Sequence, residues 1–169
     1  MFYRIKQFMW AIEAIYKDID DEYIKRYLDE DEKNLFQLLK KSDKQHSIRV
    51  AKDALEYIED SNNVIQKIDK EKIVKIALLH DIGKIERPLN VFEKSLVVIL
   101  DKVTSGKISR YSNFKIIDIY YNHPEKGYEI LKLNKKYDVE FLKVIEEHHH
   151  KIKTSNEILE IIKYCDNKN

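Results

Sequence analysis

The sequence predicts an all-α fold, a compact bundle of seven to nine helices. The 169 residues include only three glycines and two prolines, far below the average usage of about 7% and 5%, so a loop-rich β-sandwich or barrel is a poor fit. Apolar residues recur at helical spacing, and the period-two alternation of strands is nowhere sustained. With 43% hydrophobic residues the chain has enough apolar material for one core, and its length suits a single domain over residues 1–169.

The first 40 residues predict scaffolding helices. Met1–Ile19 has apolar stripes, but charged residues that include Arg4, Lys6, Glu13 and Lys17 interrupt them, so it matches neither a signal sequence nor a membrane span. A second helix follows through Tyr23–Leu28, and a third begins at Asp31 or a neighbouring acid. The amphipathic pattern of this region fits three alternative roles: it covers one side of a functional pocket, completes the core of the bundle or forms a homodimer face.

Residues 41–167 are predicted to hold the functional core. Ser42 or Asp43 caps a fourth helix that carries His46. A short, deeply apolar helix starts at Glu71 and stops at Gly83, which suits the left-handed position after a helix.

Four more helices complete the predicted core. One spans Val91–Val103 and is followed by a polar connection. The next resumes at Phe114 and restarts at Pro124, because proline is favoured at the first position of a helix. The last two helices run from Val139 to about Ile152 and from Ser155 to about Asp166.

Charge and cysteine content exclude several partners and locations. The 31 basic and 30 acidic residues nearly cancel, and no long run of one sign occurs, so an extended nucleic-acid surface is not expected. No segment is expected to bind or span a membrane. Cys165 is the only cysteine, which excludes an intramolecular disulfide and predicts a reduced, cytoplasmic setting.

Histidines and aspartates lie on the apolar faces of the predicted helices. Such a position is costly unless the side chain is hydrogen-bonded, paired or coordinated, and a single buried histidine is most often a hydrogen-bonded core residue. Here seven such residues are predicted to face inward on five helices: His46, His80, Asp81, His123, His148, His149 and Asp166. His150 neighbours charged residues instead and is predicted to be exposed.

This clustering predicts a metal centre, since the core of a helical bundle is where such ligands converge. A set of nitrogen and oxygen ligands argues against structural zinc and favours Fe, Mn, Ni, Zn or Mg in an open site. Seven ligands exceed the need of one ion and suit two divalent metal ions that share a carboxylate and a hydroxide. His80 and Asp81 point roughly 100° apart on a helix, so one can bind terminally while the other bridges.

The pattern resembles the HD-domain metal-dependent phosphohydrolase superfamily. Its signature is a histidine, a distant His-Asp pair and a later aspartate on an all-helical bundle. The corresponding residues here are His46, the His80-Asp81 pair in Leu-His-Asp-Ile-Gly-Lys, and Asp166 in Tyr-Cys-Asp. The resemblance covers roughly residues 40–167 and implies a bundle of the HD-domain type.

The segment His123-Pro124-Glu125-Lys126-Gly127 and the His148-His149 pair are similar to the binuclear branch of that superfamily, which includes the HD-GYP cyclic-di-GMP phosphodiesterases. The resemblance implies a first ion on His46, His80, Asp81 and Asp166. It implies a second ion on His123, His148 and His149, with Asp81 bridging. No Gly-Tyr-Pro motif follows the histidine pair, and Ser42 stands where trinuclear members place a glutamate, so two ions are expected.

The predicted function is hydrolysis of a phosphomonoester or phosphodiester on a nucleotide-like small molecule. Two divalent ions and two aspartates leave the pocket net positive, which attracts phosphate. The expected nucleophile is a hydroxide that bridges the ions. Asp81 and Lys84 are the candidate catalytic residues, Lys84 as a ligand of a phosphate oxygen. Lys84 is equally consistent with a solvent-facing lysine that interacts with the helix dipole.

Two other function classes remain open. One is a metal-bound, nucleotide-sensing signalling module with weak or no catalysis. The other is a diiron oxygenase, because some HD-type proteins, such as myo-inositol oxygenase, use a similar cluster with oxygen.

Overall fold

The structure is a computed structural model that describes residues 18–60, 68–150 and 155–169. Within these ranges the chain forms eight α-helices and two short 3₁₀-helices, and no strand, which confirms the all-α prediction. The α-helices are α1 (Asp21–Tyr27), α2 (Glu30–Gln37), α3 (Lys41–Asp60), α4 (Lys70–Leu79), α5 (Val91–Thr104), α6 (Lys115–Lys132), α7 (Val139–Glu147) and α8 (Glu157–Lys168). The 3₁₀-helices span Ile82–Glu86 and Lys107–Tyr111. Most of the predicted helix Met1–Ile19 lies outside the described residues.

Side-chain caps fix where most helices begin. At α2 the Asp29 carboxylate accepts from the Glu32 N–H at 3.0 Å, and the Asp29 N–H donates to the Glu32 carboxylate at 2.9 Å. Asn90 and Glu93 form the same capping box at α5. Single caps are supplied by Asp20, Asp69, Asp138 and Asn156. The residue that caps α2 is therefore Asp29, which is an acidic neighbour of Asp31 as the sequence predicts.

Helix α4 lies at the centre of the described bundle. It packs against α1, α3, α7 and α8. Six of its residues are buried: Ile73, Val74, Ile76, Ala77, Leu78 and Leu79. A helix that is apolar on nearly all sides is buried on all sides. Consequently the His80-Asp81 pair, which follows α4 directly, enters the interior of the bundle rather than its surface.

The predicted left-handed conformation at Gly83 is wrong. Gly106 is the described glycine with a positive φ, at 82° after α5, whereas Gly83 lies within a 3₁₀-helix. Gly83 is required for a different reason, because a Cβ there would lie 2.0 Å from the carbonyl oxygen of His123 and 2.7 Å from the backbone nitrogen of Gly127. The absence of a side chain lets the 3₁₀-helix pack directly on α6.

The predicted restart at Pro124 is also wrong, because α6 runs unbroken from Lys115 to Lys132 with Pro124 inside it. An internal proline cannot donate to the carbonyl four residues earlier, here that of Tyr120. The His123 imidazole takes up this acceptor, since its Nδ1 lies 3.2 Å from the Tyr120 oxygen and 3.0 Å from the Ile119 oxygen. The proline therefore supplies His123 with a partner and does not end the helix.

Helix α7 ends at Glu147, earlier than the predicted Ile152. The chain tightens there into a turn in which the His150 N–H donates to the Glu147 carbonyl at 2.8 Å. Residues 151–154 lie outside the described part. The early end places the His148-His149 pair at the end of α7.

Helix α5 lies at the periphery and packs against α6 and the second 3₁₀-helix. Among its described side chains Val97 is buried, whereas an apolar stripe faces solvent: Phe92, Leu96, Ile99, Leu100 and Val103. The face that points into the protein is therefore the one on the Val97 side. In the described part of the chain no helix combines the length and apolar character that a membrane span requires.

Candidate metal centre

The fold brings the seven predicted residues to one place. α3 contributes His46, the end of α4 contributes His80 and Asp81, α6 contributes His123, the end of α7 contributes His148 and His149, and α8 contributes Asp166. Their nitrogen and oxygen atoms form two groups, each with its atoms within 4.8 Å of one another. One group is His46, His80 and Asp166, and the other is Asp81, His123, His148 and His149.

The first group is arranged around the carboxylate of Asp166. Its Oδ1 lies 2.9 Å from His46 Nε2 and 3.8 Å from His80 Nε2. Oδ2 of Asp81 lies 3.7 Å and 3.4 Å from the same two nitrogens. Two imidazole nitrogens and two carboxylate oxygens thus face a common point.

The carboxylate of Asp81 joins the two groups. Its Oδ2 faces His46 and His80, whereas its Oδ1 lies 3.2 Å from His123 Nε2 and 3.9 Å from His148 Nε2. The side chain is 1% exposed. A buried carboxylate with one oxygen toward each set of imidazoles is the arrangement that a bridging ligand of two ions requires.

Backbone carbonyls fix the orientation of three imidazoles. Nδ1 of His80 contacts the Ala77 oxygen at 2.7 Å, Nδ1 of His148 contacts the Ile145 oxygen at 2.7 Å, and Nδ1 of His123 contacts the carbonyls described above. A carbonyl accepts only, so Nδ1 carries the proton and the Nε2 lone pair is left to bind a ligand. Such backbone partners are typical of metal-binding histidines.

The buried ligand atoms fit a cation. Among the described residues, Nε2 of His80, His123 and His148 and Oδ1 of Asp81 are buried without a hydrogen-bond partner. Four such atoms in one cluster would each carry a desolvation cost of about 1–3 kcal/mol. Divalent ions between the atoms would remove this cost, because each atom is a lone-pair donor.

Burial and charge set the protonation of the imidazoles. Burial pushes the pKa of His148 well below its usual range and lowers the pKa of His46 and His123 as well. Burial, and then the charge of His123, lowers the pKa of His149 to about 4. At His80 burial also acts downward, but Asp81 and Asp166 outweigh it and raise the pKa. Four of the five imidazoles are therefore neutral at neutral pH, as metal binding requires.

Both aspartates are held ionised. Burial acts to raise the pKa of Asp81, but the charges of Lys84 and His80 prevail and hold it well below its usual range. At Asp166 burial likewise acts upward and is outweighed by the hydrogen bond with His46 and by the nearby His80. The cluster thus combines mostly neutral imidazoles with charged carboxylates in a largely buried site.

Two histidines, His149 and His150, are more exposed than the other four. His149 is predicted to face inward, but its side chain is 46% exposed, because the chain turns at the end of α7. Its ring still lies 4.9 Å from that of His123, and its Nδ1 lies 3.7 Å from Asp166 Oδ2. His149 therefore lies at the mouth of the cluster. His150 is exposed and lies 3.7 Å from Glu125, outside both groups.

Two lysines accompany the cluster. Lys84 was predicted, and its ammonium donates to Oδ2 of Asp81. Burial acts to lower the pKa of Lys84, but Asp81 and Asp43 outweigh it and raise the pKa. Lys94, an exposed lysine of α5, was not predicted; the charge of Lys84 lowers its pKa.

A family model described as the HD domain matches residues 44–168 of the chain. No curated protein and no solved structure matches it. The matched range begins two residues before His46 and ends two residues after Asp166, so it includes both groups of the cluster.

Proposed function

The chain belongs to the HD-domain family, and from this premise we propose that it is a metal-dependent phosphohydrolase with two divalent ions. The observation that carries the proposal is the carboxylate of Asp81, which has one oxygen toward each group of imidazoles. A structural ion would need one closed set of ligands, whereas two adjacent sets that share a carboxylate are typical of hydrolytic centres.

In this proposal the residues divide between two ions. The first is held by His46, His80, Asp81 and Asp166. The second is held by Asp81, His123, His148 and His149. Bound divalent ions of this kind lower the pKa of water and polarise phosphoryl oxygens, and candidates with the right ligand preference are Fe, Mn, Ni, Zn and Mg.

The chain's own residues prepare the site for this chemistry. The backbone carbonyls at Nδ1 hold three imidazoles with Nε2 directed inward, so little reorganisation is needed when a ligand binds. Lys84 keeps Asp81 ionised and places a positive charge beside the cluster. There it can bind a phosphoryl oxygen and stabilise the charge that develops during hydrolysis.

The expected substrate is a small phosphate ester, such as a nucleotide or cyclic nucleotide. Two divalent ions and two aspartates leave a net positive charge, which favours an anionic group. Both monoesters and diesters meet this requirement. The half-exposed His149 marks an open side of the cluster through which such a group can approach.

The test combines metal content with phosphate release. The protein is purified without a histidine tag, its metals are measured by elemental analysis, and hydrolysis is assayed on a panel of nucleotides and cyclic nucleotides. We expect about two metal ions per chain and turnover with the redox-inert ions Mg²⁺ or Zn²⁺, or with Mn²⁺. The variant Asp81→Asn should lose both metal and turnover, whereas the control His150→Ala should retain both, because His150 lies outside both groups.

Other outcomes contradict parts of the proposal. One ion per chain would exclude the second set, His123, His148 and His149. Two ions without turnover of any phosphate ester would favour a sensing module. Activity only with iron and oxygen would identify an oxygenase instead.

A further inference from the structure

We propose that α5 is the interface of a homodimer, in which it packs antiparallel against α5 of a second copy of this chain. The inference is carried by the apolar stripe that α5 turns toward solvent. It goes beyond the proposed function and does not depend on it, because none of the residues that carry it belongs to either group of ligand atoms.

The exposed side chains of α5 have the spacing of a seam between two helices. Intervals of four, three and four residues separate Phe92, Leu96, Ile99 and Val103. With this alternation the side chains of one helix insert between those of a partner helix along its length. All four are apolar and between 54% and 84% exposed, whereas Val97, on the other side of the helix, is 2% exposed. The seam therefore faces away from the described core.

An apolar groove continues the stripe beyond the end of α5. Its volume is about 580 Å³, and its walls include Val103, Tyr111 and Phe114. The two aromatic side chains are 58% and 59% exposed. At the other end of the stripe lies Phe92, 84% exposed and about 16 Å from Val103 along the helix. The same face thus carries a protruding aromatic ring at one end and a groove at the other.

A two-fold axis makes these two features complementary. In a two-fold interface, a residue that contacts a second residue of the partner is matched by the reverse contact. With the axis midway between Leu96 and Ile99, the two copies of α5 run antiparallel. Phe92 then meets the partner's Val103 and its groove, and Leu96 packs against the partner's Ile99. The four seam positions carry no charge, so no like charges meet along the seam.

The size of the apolar surface suits a dimer. The stripe on α5, Tyr111 and Phe114 have side chains that are 36% to 84% exposed. At roughly 150–200 Å² for a whole side chain of this size, they expose on the order of 600–800 Å². The largest apolar patch of a typical monomer is about 300–600 Å², whereas each partner of a standard interface buries about 800 Å². A second copy would remove both patches from water at once.

The charges of α5 favour a protein partner over a lipid surface. The helix carries two acids and two lysines: Glu93, Lys94, Asp101 and Lys102. An amphipathic helix that lies on a membrane has a polar face rich in lysine and arginine, which attracts anionic lipids. The balanced charge of α5 gives no such attraction.

The first test is sedimentation equilibrium of the full chain over a range of concentrations. We expect the wild type to be a dimer and Ile99→Glu to raise the dissociation constant at least about hundredfold, because the new charges would be buried near the axis. Ile99 is 58% exposed, so the variant should keep its helical signal and its metal content. The matched control is Val139→Glu, which places the same charge at an 82% exposed valine of α7 and should remain a dimer.

Disulfide cross-linking tests the antiparallel order. The variants Phe92→Cys and Val103→Cys are prepared separately, mixed and oxidised. We expect a cross-linked dimer in the mixture and none in either variant alone, because the two-fold axis pairs position 92 with position 103. The native Cys165 does not interfere, since it is buried and burial raises the pKa of its thiol to about 12.

Three results would overturn the proposal. One is a wild-type chain that is monomeric at every concentration; binding of this monomer to vesicles of phosphatidylglycerol and phosphatidylcholine would then identify a lipid surface instead. Another is an Ile99→Glu variant that dimerises like the wild type. The third is cross-linking of either cysteine variant alone, which would indicate parallel helices. Metal content and phosphate release are measured separately, so failure of the dimer and failure of the proposed hydrolase are distinguishable.

Discussion

The contact between Gly83 and α6 gives the sharpest prediction, for Gly83→Ala. The added Cβ would lie 2.0 Å from the His123 oxygen and 2.9 Å from the His123 carbonyl carbon. Both are backbone atoms, so no flexible side chain can move aside. Ordinary contact begins near 3.4 Å, and the 3₁₀-helix and α6 would have to separate by about 1.4 Å.

This displacement acts on stability and on metal binding together. Overpacking of a closely packed interior costs about 1–3 kcal/mol, and a clash with rigid backbone belongs at or above the upper end. The displaced residue includes His123, whose Nε2 lies 3.2 Å from Asp81. Disturbing the groups that orient a ligand typically costs ten- to a hundredfold in metal affinity. We expect the free energy of unfolding to fall by about 3 kcal/mol and metal affinity to fall at least about tenfold.

Urea unfolding of the metal-free protein, followed by circular dichroism, measures the first effect, and Mn²⁺ titration measures the second. Two other glycines are controls. Gly127→Ala tests the same interface with a milder clash, because its Cβ would lie 3.2 Å from the Ile145 methyl and 3.3 Å from the Gly83 backbone nitrogen; we expect a smaller loss of stability, partly offset by the helix propensity of alanine. Gly106→Ala is strained by its φ of 82°, but its Cβ would make only an ordinary contact with Asp101 Oδ1 at 3.8 Å, so it should lower stability without changing metal affinity. Wild-type stability and affinity in Gly83→Ala would refute the reasoning.

Four further predictions concern the cluster and the core. Asp81→Asn should abolish binding of both ions while the helical signal in circular dichroism is retained; full metal content would exclude the bridging role. Pro124→Ala should raise the free energy of unfolding by up to about 3 kcal/mol but weaken metal binding, because the new N–H competes with His123 for the Tyr120 carbonyl; unchanged affinity would refute this. Glu32→Gln should lower the free energy of unfolding by about 1–3 kcal/mol, since this 1% exposed carboxylate has two lysines and a tyrosine as partners. The control is a matched change at an exposed glutamate of α2, and the metal content of Glu32→Gln should not change. Most imidazoles and both aspartates of the cluster have lowered pKa values, so the unfolded chain binds more protons than the native one, and the metal-free protein should lose stability as the pH falls from about 6.5 toward 4. The one imidazole with a raised pKa opposes this trend, and a urea midpoint that stays constant between pH 7 and pH 4.5 would contradict the prediction.

The sequence was sufficient for the fold class and the family because both depend on local patterns. Helical periodicity predicted the bundle, and the Leu-His-Asp-Ile-Gly-Lys run with its partners predicted the family. The structure brings the predicted histidines and aspartates together, and their role as metal ligands stays a prediction. Apolar residues around His80 and His148 indicated an inward face without knowledge of the neighbouring helix.

The errors arose where a residue serves a neighbouring element. Gly83 was interpreted from backbone conformation, but it is required by the approach of α6, which no local pattern reveals. Pro124 was interpreted as a helix start, but it lies inside α6. Because it has no N–H, the Tyr120 carbonyl is left as an acceptor for His123. Helix α5 exposes its apolar stripe, contrary to the usual rule that the apolar face points inward.

The pairing of His46 with Asp166 has a consequence for the lifetime of the protein. These residues are 120 positions apart in sequence, and their side chains meet at 2.9 Å only when α3 and α8 are in place. An unfolded chain cannot assemble such a set, so an ion bound there stabilises the native state alone. At a free concentration one thousand times the dissociation constant, the gain is about 4.1 kcal/mol. The supply of metal in the surroundings would then determine how often the chain opens to proteases, and metal-starved protein would be degraded first.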